Sequence, residues 1–143
     1  MLLARMSQPA NPLPRSEPFR VAITRRHREL CQIGTLNDCL TTDAVVICPN
    51  GDVLRGRNIA AHWLARRLSG LADAIQTQEW WPSGFDMVME VGQIAEAGLS
   101  YSSIWQRGSD GEWRLLRSQW SGPVGDEAWA LPHSRMALEQ HAC

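Results

Sequence analysis

The chain has 143 residues with a formal net charge of −1, and 20% of its residues are charged. This length fits one domain with its own hydrophobic core. The near-zero charge provides no general attraction to nucleic acid or to an anionic membrane surface. The 14 basic residues are all arginines, which excludes Schiff-base chemistry on a lysine. A small, weakly polar molecule is the expected partner.

The four cysteines are expected to be reduced thiols rather than metal ligands. Cys31, Cys39, Cys48 and Cys143 lack the spacing of zinc sites, and free cysteine behaves as a small apolar residue. The first residues contain too short an apolar run for a signal peptide, and no stretch approaches the ~18 apolar residues of a membrane span. We therefore expect a cytoplasmic protein without a metal site.

The start of the chain predicts an arm and a helix. Residues 1–15 are rich in proline and small polar residues, which predicts a disordered arm. Residues 16–18, Ser-Glu-Pro, are typical of a helix start, and Gly34 is typical of a helix end. The apolar positions of this helix fall on one face: Phe19, Ile23, Leu30 and Ile33. Its opposite face is basic and is expected to be solvated: Arg20, Arg25, Arg26 and Arg28.

A second helix is expected from 58 to about 69, after a short helical turn at 36–40. Asn58 is a suitable N-cap for this helix, and Gly70 is typical of its end. Its helical spacing directs His62 and Trp63 toward the core.

The remaining segments predict strands. Five stretches have an alternating or compact apolar pattern: 44–48, 53–55, 74–81, 85–95 and the two arms of a hairpin over 99–120. Asn-Gly at 50–51 and the Gly-containing turn at 108–111 favour tight hairpins. The domain is expected to span 16–122, and the tail 123–143, with Trp129, to pack on the domain or on a dimer partner.

Two groups of motifs resemble the nuclear transport factor 2-like superfamily, which includes ketosteroid isomerase-like and SnoaL-like proteins. The motifs are Thr-Asp-Ala-Val-Val-Ile at 42–47, Pro-Asn-Gly at 49–51, Leu-Arg-Gly-Arg at 54–57 with Ile59 and Trp63, and the arms of the last hairpin from Trp105 to Trp120. The resemblance covers residues 19–121. It implies an α+β fold, with a strongly curved antiparallel sheet that forms a cone and about three helices over the concave face.

The resemblance also implies a hydrophobic pocket in the cone, a homodimer and chemistry without a cofactor. Many relatives read Arg-Asp-x-Trp-Asn in the last strand, where the Asp points into the pocket. Here Ser118 stands at the Asp position and Ser121 at the Asn position. This departure removes the general base that the family pattern would supply.

Acid–base catalysis in an apolar pocket needs a carboxylate and one or two hydrogen-bond donors. Glu90 or Asp86 is the candidate base, although either carboxylate could face solvent. Tyr101, the only tyrosine, and His62 are the candidate donors. A half-buried strand aromatic and a hydrogen-bonded core histidine are the respective alternatives.

The candidate ligand-binding residues are mostly tryptophans, which suit flat hydrophobic ligands. They are Trp63, Trp80, Trp105, Ser118 and Trp120. Core packing and a dimer interface compete for the same side chains.

Two functions therefore stay open from the sequence. One is a small enzyme, such as an isomerase, cyclase, dehydratase or epoxide hydrolase, acting on a hydrophobic substrate. The other is a ligand-binding or dimerisation module that has lost the catalytic acid. An interaction domain using the arginine face of the first helix is a weaker third hypothesis.

Overall fold

The fold is a six-stranded sheet with helices on one side, and a computed structural model describes residues 12–32 and 37–123 of it. The α-helices are α1 (Pro12–Leu30) and α2 (Arg57–Arg67). The strands are β1 (Leu40–Ile47), β2 (Val53–Arg55), β3 (Gln76–Ser83), β4 (Met87–Ile94), β5 (Leu99–Arg107) and β6 (Trp113–Ser121). Short 3₁₀ helices span Asn37–Cys39, Ala72–Ala74 and Ala95–Ala97.

The sheet is mixed rather than antiparallel throughout. Its strand order is β2-β1-β6-β5-β4-β3, and β1 and β6 run parallel while the other neighbours run antiparallel. Local turn signals set the direction of strands joined by hairpins, but β1 and β6 meet through a long connection that carries no such signal. The α+β class is confirmed, whereas the cone shape stays a prediction.

The helices of the described residues differ from the expectation in number and in bounds. Two α-helices are present there instead of about three, and the expected turn at 36–40 is the 3₁₀ helix Asn37–Cys39. α1 begins at Pro12, four residues before Ser16, which is possible because the first turn of a helix needs no backbone N–H donor. Residues 1–11, the expected helix end at Gly34 and the tail with Trp129 lie outside the described residues.

Two of the hairpins follow the predicted turns. At the first, Gly51 has a φ of 93°, and the Asn50 side chain accepts a hydrogen bond from the backbone N–H of Asp52. At the second, Gly111 has a φ of 84°, and β5 pairs with β6 from Arg107 opposite Trp113 to Ser100 opposite Ser121. The Asn-Gly and Asp-Gly signals therefore identified both turns correctly.

The core lies between the helices and the inner face of the sheet. Phe19, Ile23 and Leu30 of α1 are buried there, as predicted from their spacing. Cys31, Cys39 and Cys48 are buried free thiols, and burial raises the pKa of Cys31 to about 11. Within the described residues, no helix combines the length and apolar character needed to cross a membrane.

The outer face of the sheet is partly apolar near the β3–β4 turn. Trp81 and Met89 face each other across β3 and β4 and are exposed, and Phe85 in the turn is 73% exposed. The homodimer implied by the resemblance stays a prediction.

Arg26 is buried, contrary to the expectation of a solvated arginine face, and is only 4% exposed. Its Nε donates to the backbone carbonyl of Trp113 at 2.9 Å, and its Nη1 donates to Glu29 Oε1 at 2.7 Å. Its Nη2 also lies 3.3 Å from Glu112 Oε1. The guanidinium therefore joins α1 to the start of β6, through partners that are 86 and 87 residues away in sequence.

Substitution of Arg26 by methionine is expected to lower the free energy of unfolding by about 2 kcal/mol, because a buried carbonyl and a partly buried carboxylate lose their donor. Chemical denaturation measures this loss. The matched control is Arg25→Met: Arg25 is exposed and lies 3.9 Å from Glu112, so its loss should cost less than about 0.5 kcal/mol. Equal losses in the two variants would contradict the structural role of Arg26.

Candidate functional site

One inward-facing row crosses the entire sheet. The strand register places in it Trp80, Glu90, Ser103, Ser118, Val46 and Leu54, one from each strand. Glu90 and Ser118 are thus in the same row but two strands apart, which corresponds to about 10 Å across the sheet. On β4 this row contains the carboxylate of Glu90. On β6 it contains Ser118, at the position where the family that the sequence motifs resemble has an acid.

Glu90 is fully buried and accepts hydrogen bonds from three different elements of the fold. Nε2 of His27 on α1 lies 3.0 Å from both carboxylate oxygens. Trp105 Nε1 donates to Oε1 at 2.9 Å. The hydroxyls of Thr77 and Tyr101 donate to Oε2 at 2.7 Å and 2.5 Å. Four donors meet the roughly four lone-pair positions of a carboxylate, so its accepting capacity is filled.

The hydrogen bonds keep Glu90 ionised in spite of its burial. Burial by itself would raise the pKa of Glu90, but the hydrogen bonds from His27, Tyr101 and Thr77 outweigh it and hold the pKa below its ordinary value. Burial, together with the adjacent Glu90 charge, raises the pKa of Tyr101. Tyr101 is therefore a neutral donor at physiological pH.

His27 was missed by the sequence reasoning, although a signal for it was present. It lies four residues after Ile23 and three before Leu30, on the apolar face of α1, and it is buried. The four arginines near it in the sequence predicted a basic opposite face instead. Thr77 was also missed, and nothing in the local sequence of β3 marks it as a partner of Glu90.

Gly92 makes room for Tyr101. Gly92 is two residues after Glu90 on β4 and stands opposite both Thr77 and Tyr101 in the register. A Cβ atom at this position would overlap the Tyr101 hydroxyl and lie 2.6 Å from the backbone oxygen of Gln76. The missing side chain therefore lets the phenol lie over β4 and reach Glu90.

A second set of polar side chains, a pair of serines, lies on β5 and β6. The hydroxyls of Ser103 and Ser118, both buried, are 2.8 Å apart, and either can be the donor. Trp120, two residues after Ser118, stacks against Tyr101 with ring centroids 4.9 Å apart. Its indole Nε1 is buried and has no hydrogen-bond partner within the described part of the chain.

These groups line a cavity of about 20 Å³, which is room for one water molecule. Its polar and aromatic wall is formed by His27, Glu90, Ser103, Ser118, Trp105 and Trp120, with Tyr101 beside them. Its apolar wall comes from Leu30, Leu64, Leu68, Ile75 and Leu115. The volume is far below the ~300–1,000 Å³ of sites that hold drug-sized ligands.

Five of the nine candidate site residues line this cavity: Glu90, Tyr101, Trp105, Ser118 and Trp120. Trp63 and Trp80 do not; Trp63 is packed in the core with its ring 6.2 Å from that of Trp120, and Trp80 packs edge-on against Phe19.

The structure does not bring His62 or Asp86 to the cavity. His62 is exposed on α2, because it points about 100° away from Trp63 around the helix and the buried face continues through Leu64 and Leu68. Asp86 is exposed in the turn between β3 and β4, since β4 begins only at Met87. The expectation that His62 faces the core was wrong.

No group of three or more histidine, cysteine, aspartate or glutamate side chains in residues 12–32 and 37–123 is arranged to hold a metal ion.

Comparison with known proteins identifies the fold. The chain resembles a protein with a cystatin-like fold from Caulobacter vibrioides, with 13% identity, a TM-score of 0.54 and coverage of 85% of this chain and 98% of that one. It also resembles a domain with a cystatin-like fold from Nostoc punctiforme, with 10% identity, a TM-score of 0.55 and coverage of 86% and 93%. These similarities show that the chain has the cystatin-like α+β fold.

Other structural matches have TM-scores below 0.5. One is an NTF2-like protein from Rhodospirillum rubrum, with 17% identity, a TM-score of 0.45 and coverage of 77% of this chain and 96% of that one. Ketosteroid isomerase-like proteins are also among the matches. No family model and no curated protein matches the sequence. The comparisons therefore concern the fold and assign no activity.

Proposed function

We propose that the chain is an enzyme-like protein that transfers a proton to or from a small molecule. His27 and Glu90 are the two residues that carry out this transfer. The main support is the ionised carboxylate of Glu90, which is fully buried in the wall of a cavity. Burying a charge costs free energy that an apolar side chain of similar size would not require. Buried, charge-coupled groups of this kind in a cavity are typical of functional sites.

In this proposal His27 is the proton acceptor and Glu90 orients it. The four lone-pair positions of Glu90 are filled, and Tyr101 donates to Glu90 instead of to the cavity. A neutral His27 that donates its Nε2–H to Glu90 keeps its lone pair on Nδ1. When that nitrogen takes a proton, the neighbouring carboxylate stabilises the imidazolium.

The cavity limits the charge and the size of the substrate. Its apolar wall favours an uncharged molecule, and its volume of about 20 Å³ admits only one small atom group. A larger substrate requires α1, which contributes His27 and Leu30 to the wall, to move away from the sheet. The reaction classes that fit are isomerisation, cyclisation or elimination, in which a carbon-bound proton is removed.

Deuterium incorporation tests the proposal without knowledge of the full reaction. Small ketones and lactones, incubated with the protein in D₂O, should exchange an acidic C–H proton faster than with buffer, as followed by proton NMR. His27→Gln should reduce this exchange by about 100-fold or more, because it removes the general base.

The matched control is His62→Gln, because His62 is exposed on α2, away from the cavity. Its exchange rates should equal those of the unchanged protein. Equal losses in the two histidine variants, or protein-independent exchange for every compound, would contradict the assignment of His27.

A non-catalytic binding or dimerisation module is the second candidate. It is favoured by the filled acceptor positions of Glu90, by Ser118 at the family's acid position and by the water-sized cavity. Under this alternative a ligand changes the fluorescence of Trp105 or Trp120, which line the cavity, while no C–H exchange is detected.

A further inference from the structure

The β5–β6 side of the cavity has hydrogen-bond donors that the protein itself does not use. Each serine hydroxyl has one proton, and the contact between Ser103 and Ser118 consumes only one of the two. Neither hydroxyl has another partner among the described residues. One O–H is therefore free to donate to a guest on this side.

The second unused donor is the indole N–H of Trp120. Trp120 is 6% exposed, and its Nε1 is buried with no partner in the described residues. A buried N–H without a hydrogen bond costs about 1–3 kcal/mol. Trp120 and Ser118 share the inner face of β6, and both line the cavity.

The charge of the cavity restricts what can accept these hydrogen bonds. Glu90 is ionised and stands opposite Ser103 in the register. Among its partners in the described chain, only His27 can carry a positive charge, and the donors of Thr77, Tyr101 and Trp105 are neutral. A second negative charge near the serines would therefore be repelled.

From these observations we infer that Ser118, Ser103 and Trp120 form a subsite for an uncharged oxygen acceptor, such as the carbonyl oxygen of a small ketone, ester or amide. The leftover serine O–H and the indole N–H donate to this oxygen, and the apolar wall contacts the rest of the molecule. This inference rests on the proposed function because it assigns the polar end of the same small molecule. The water-sized volume fits the acceptor atom, and the rest of the molecule requires α1 to move away from the sheet, as any larger substrate does.

Acetone and acetate provide matched probes because they have nearly the same shape and differ in charge. The full chain is labelled with ¹⁵N at the tryptophan indoles, and the Trp120 signal is assigned from its absence in Trp120→Phe. Acetone should shift the Trp120 indole proton in a saturable way, whereas acetate should not. The exposed Trp81 indole reports non-specific solvent effects, which increase linearly with concentration.

The double variant Ser103→Ala/Ser118→Ala should weaken acetone binding by about tenfold, since the serine hydrogen bond to the guest is lost. Each single variant leaves one serine hydroxyl that can still donate to the guest, so each should weaken binding less than the double variant does. Equal binding of acetate and acetone would overturn the inference, as would a Trp120 signal that stays unchanged while binding occurs.

The NMR signal of the Trp105 indole distinguishes failure of the oxygen subsite from failure of the proposed function. This indole donates to Glu90 at 2.9 Å, so it reports on the His27–Glu90 side of the cavity. A saturable shift at Trp105 without one at Trp120 would reject the oxygen subsite and leave the His27–Glu90 proposal standing. No saturable shift at either indole would reject the subsite, while C–H exchange would still decide the proposed function. A water signal that persists at Trp120 when acetone is saturating would identify the site as a structural water position only.

Discussion

Substitution of Glu90 by leucine is expected to lower the free energy of unfolding by about 4 kcal/mol, because three buried donors and one partly buried donor lose their acceptor. These donors are His27 Nε2, Trp105 Nε1 and the hydroxyls of Thr77 and Tyr101. Leucine has a similar size, so the loss reflects unsatisfied polar groups more than a cavity. Urea denaturation at pH 7 measures the change.

Glu90→Gln separates the charge from the shape of the side chain. The pKa of Glu90 in the folded state is below its ordinary value of 4.5: burial opposes ionisation, but His27, Tyr101 and Thr77 favour it more strongly. The stabilisation by the carboxylate is therefore present above the unfolded pKa and is lost as the pH falls through the folded pKa. Glutamine has no charge to lose, so the difference in stability between the two proteins should shrink on acidification.

The control for this pH profile is Glu79→Gln, which makes the same substitution at an exposed position of β3. Its stability should follow that of the unchanged protein at every pH. Glu29, Asp38 and Asp110 also have lowered pKa values in the folded state, so only the comparison of variants isolates Glu90. A Glu90→Gln profile as steep as that of the unchanged protein would contradict the stabilised carboxylate.

Substitution of Gly92 by alanine is expected to cost about 3 kcal/mol and to separate Tyr101 from Glu90. The new methyl group would overlap the phenol and approach the Gln76 carbonyl oxygen to 2.6 Å, a backbone atom that cannot move away easily. Overpacking of this kind costs about 1–3 kcal/mol, and the lost hydrogen bond to a charged group adds to it.

Tyr101 provides the direct measurement because it is the only tyrosine in the chain. In the unchanged protein, burial and the Glu90 charge raise the pKa of its phenol, so ultraviolet absorbance should detect ionisation only when the chain unfolds in alkali. In Gly92→Ala the displaced phenol should ionise at lower pH, before unfolding. In a Tyr101→Ala background the alanine at 92 should cost less; an equal cost in both backgrounds would contradict the contact.

Much of the fold could be predicted from local patterns. The compact strand before Asn50-Gly51, the hairpin around Gly111 and the apolar face of α1 were all identified because turn residues and side-chain periods act over a few neighbouring residues. The alternation of side chains along a strand places Val88 and Glu90 on one face of β4, and only the structure shows that this face is buried.

Only part of the site could be predicted, because local patterns act over a few neighbouring residues while the site joins distant ones. Glu90, Tyr101 and Ser118 were candidate site residues from the sequence, and in the structure all three line the cavity. His62 was wrongly directed inward because it is one residue away from the buried Trp63, and neighbouring residues on a helix point in different directions. The water-sized volume of the cavity depends on how closely α1 and α2 pack on the sheet.

The sequence by itself determined the α+β class and two of the hairpins, and it identified Glu90, Tyr101 and Ser118 as candidate site residues, because turn residues and side-chain periods are local properties of the sequence. Only the tertiary structure decided that β1 and β6 run parallel, that Arg26 is buried, and that His27 meets Glu90 across 63 residues of chain. Such contacts depend on which face of one element packs against which face of another. The packing of the whole core determines which faces meet, so a local sequence pattern cannot predict these contacts.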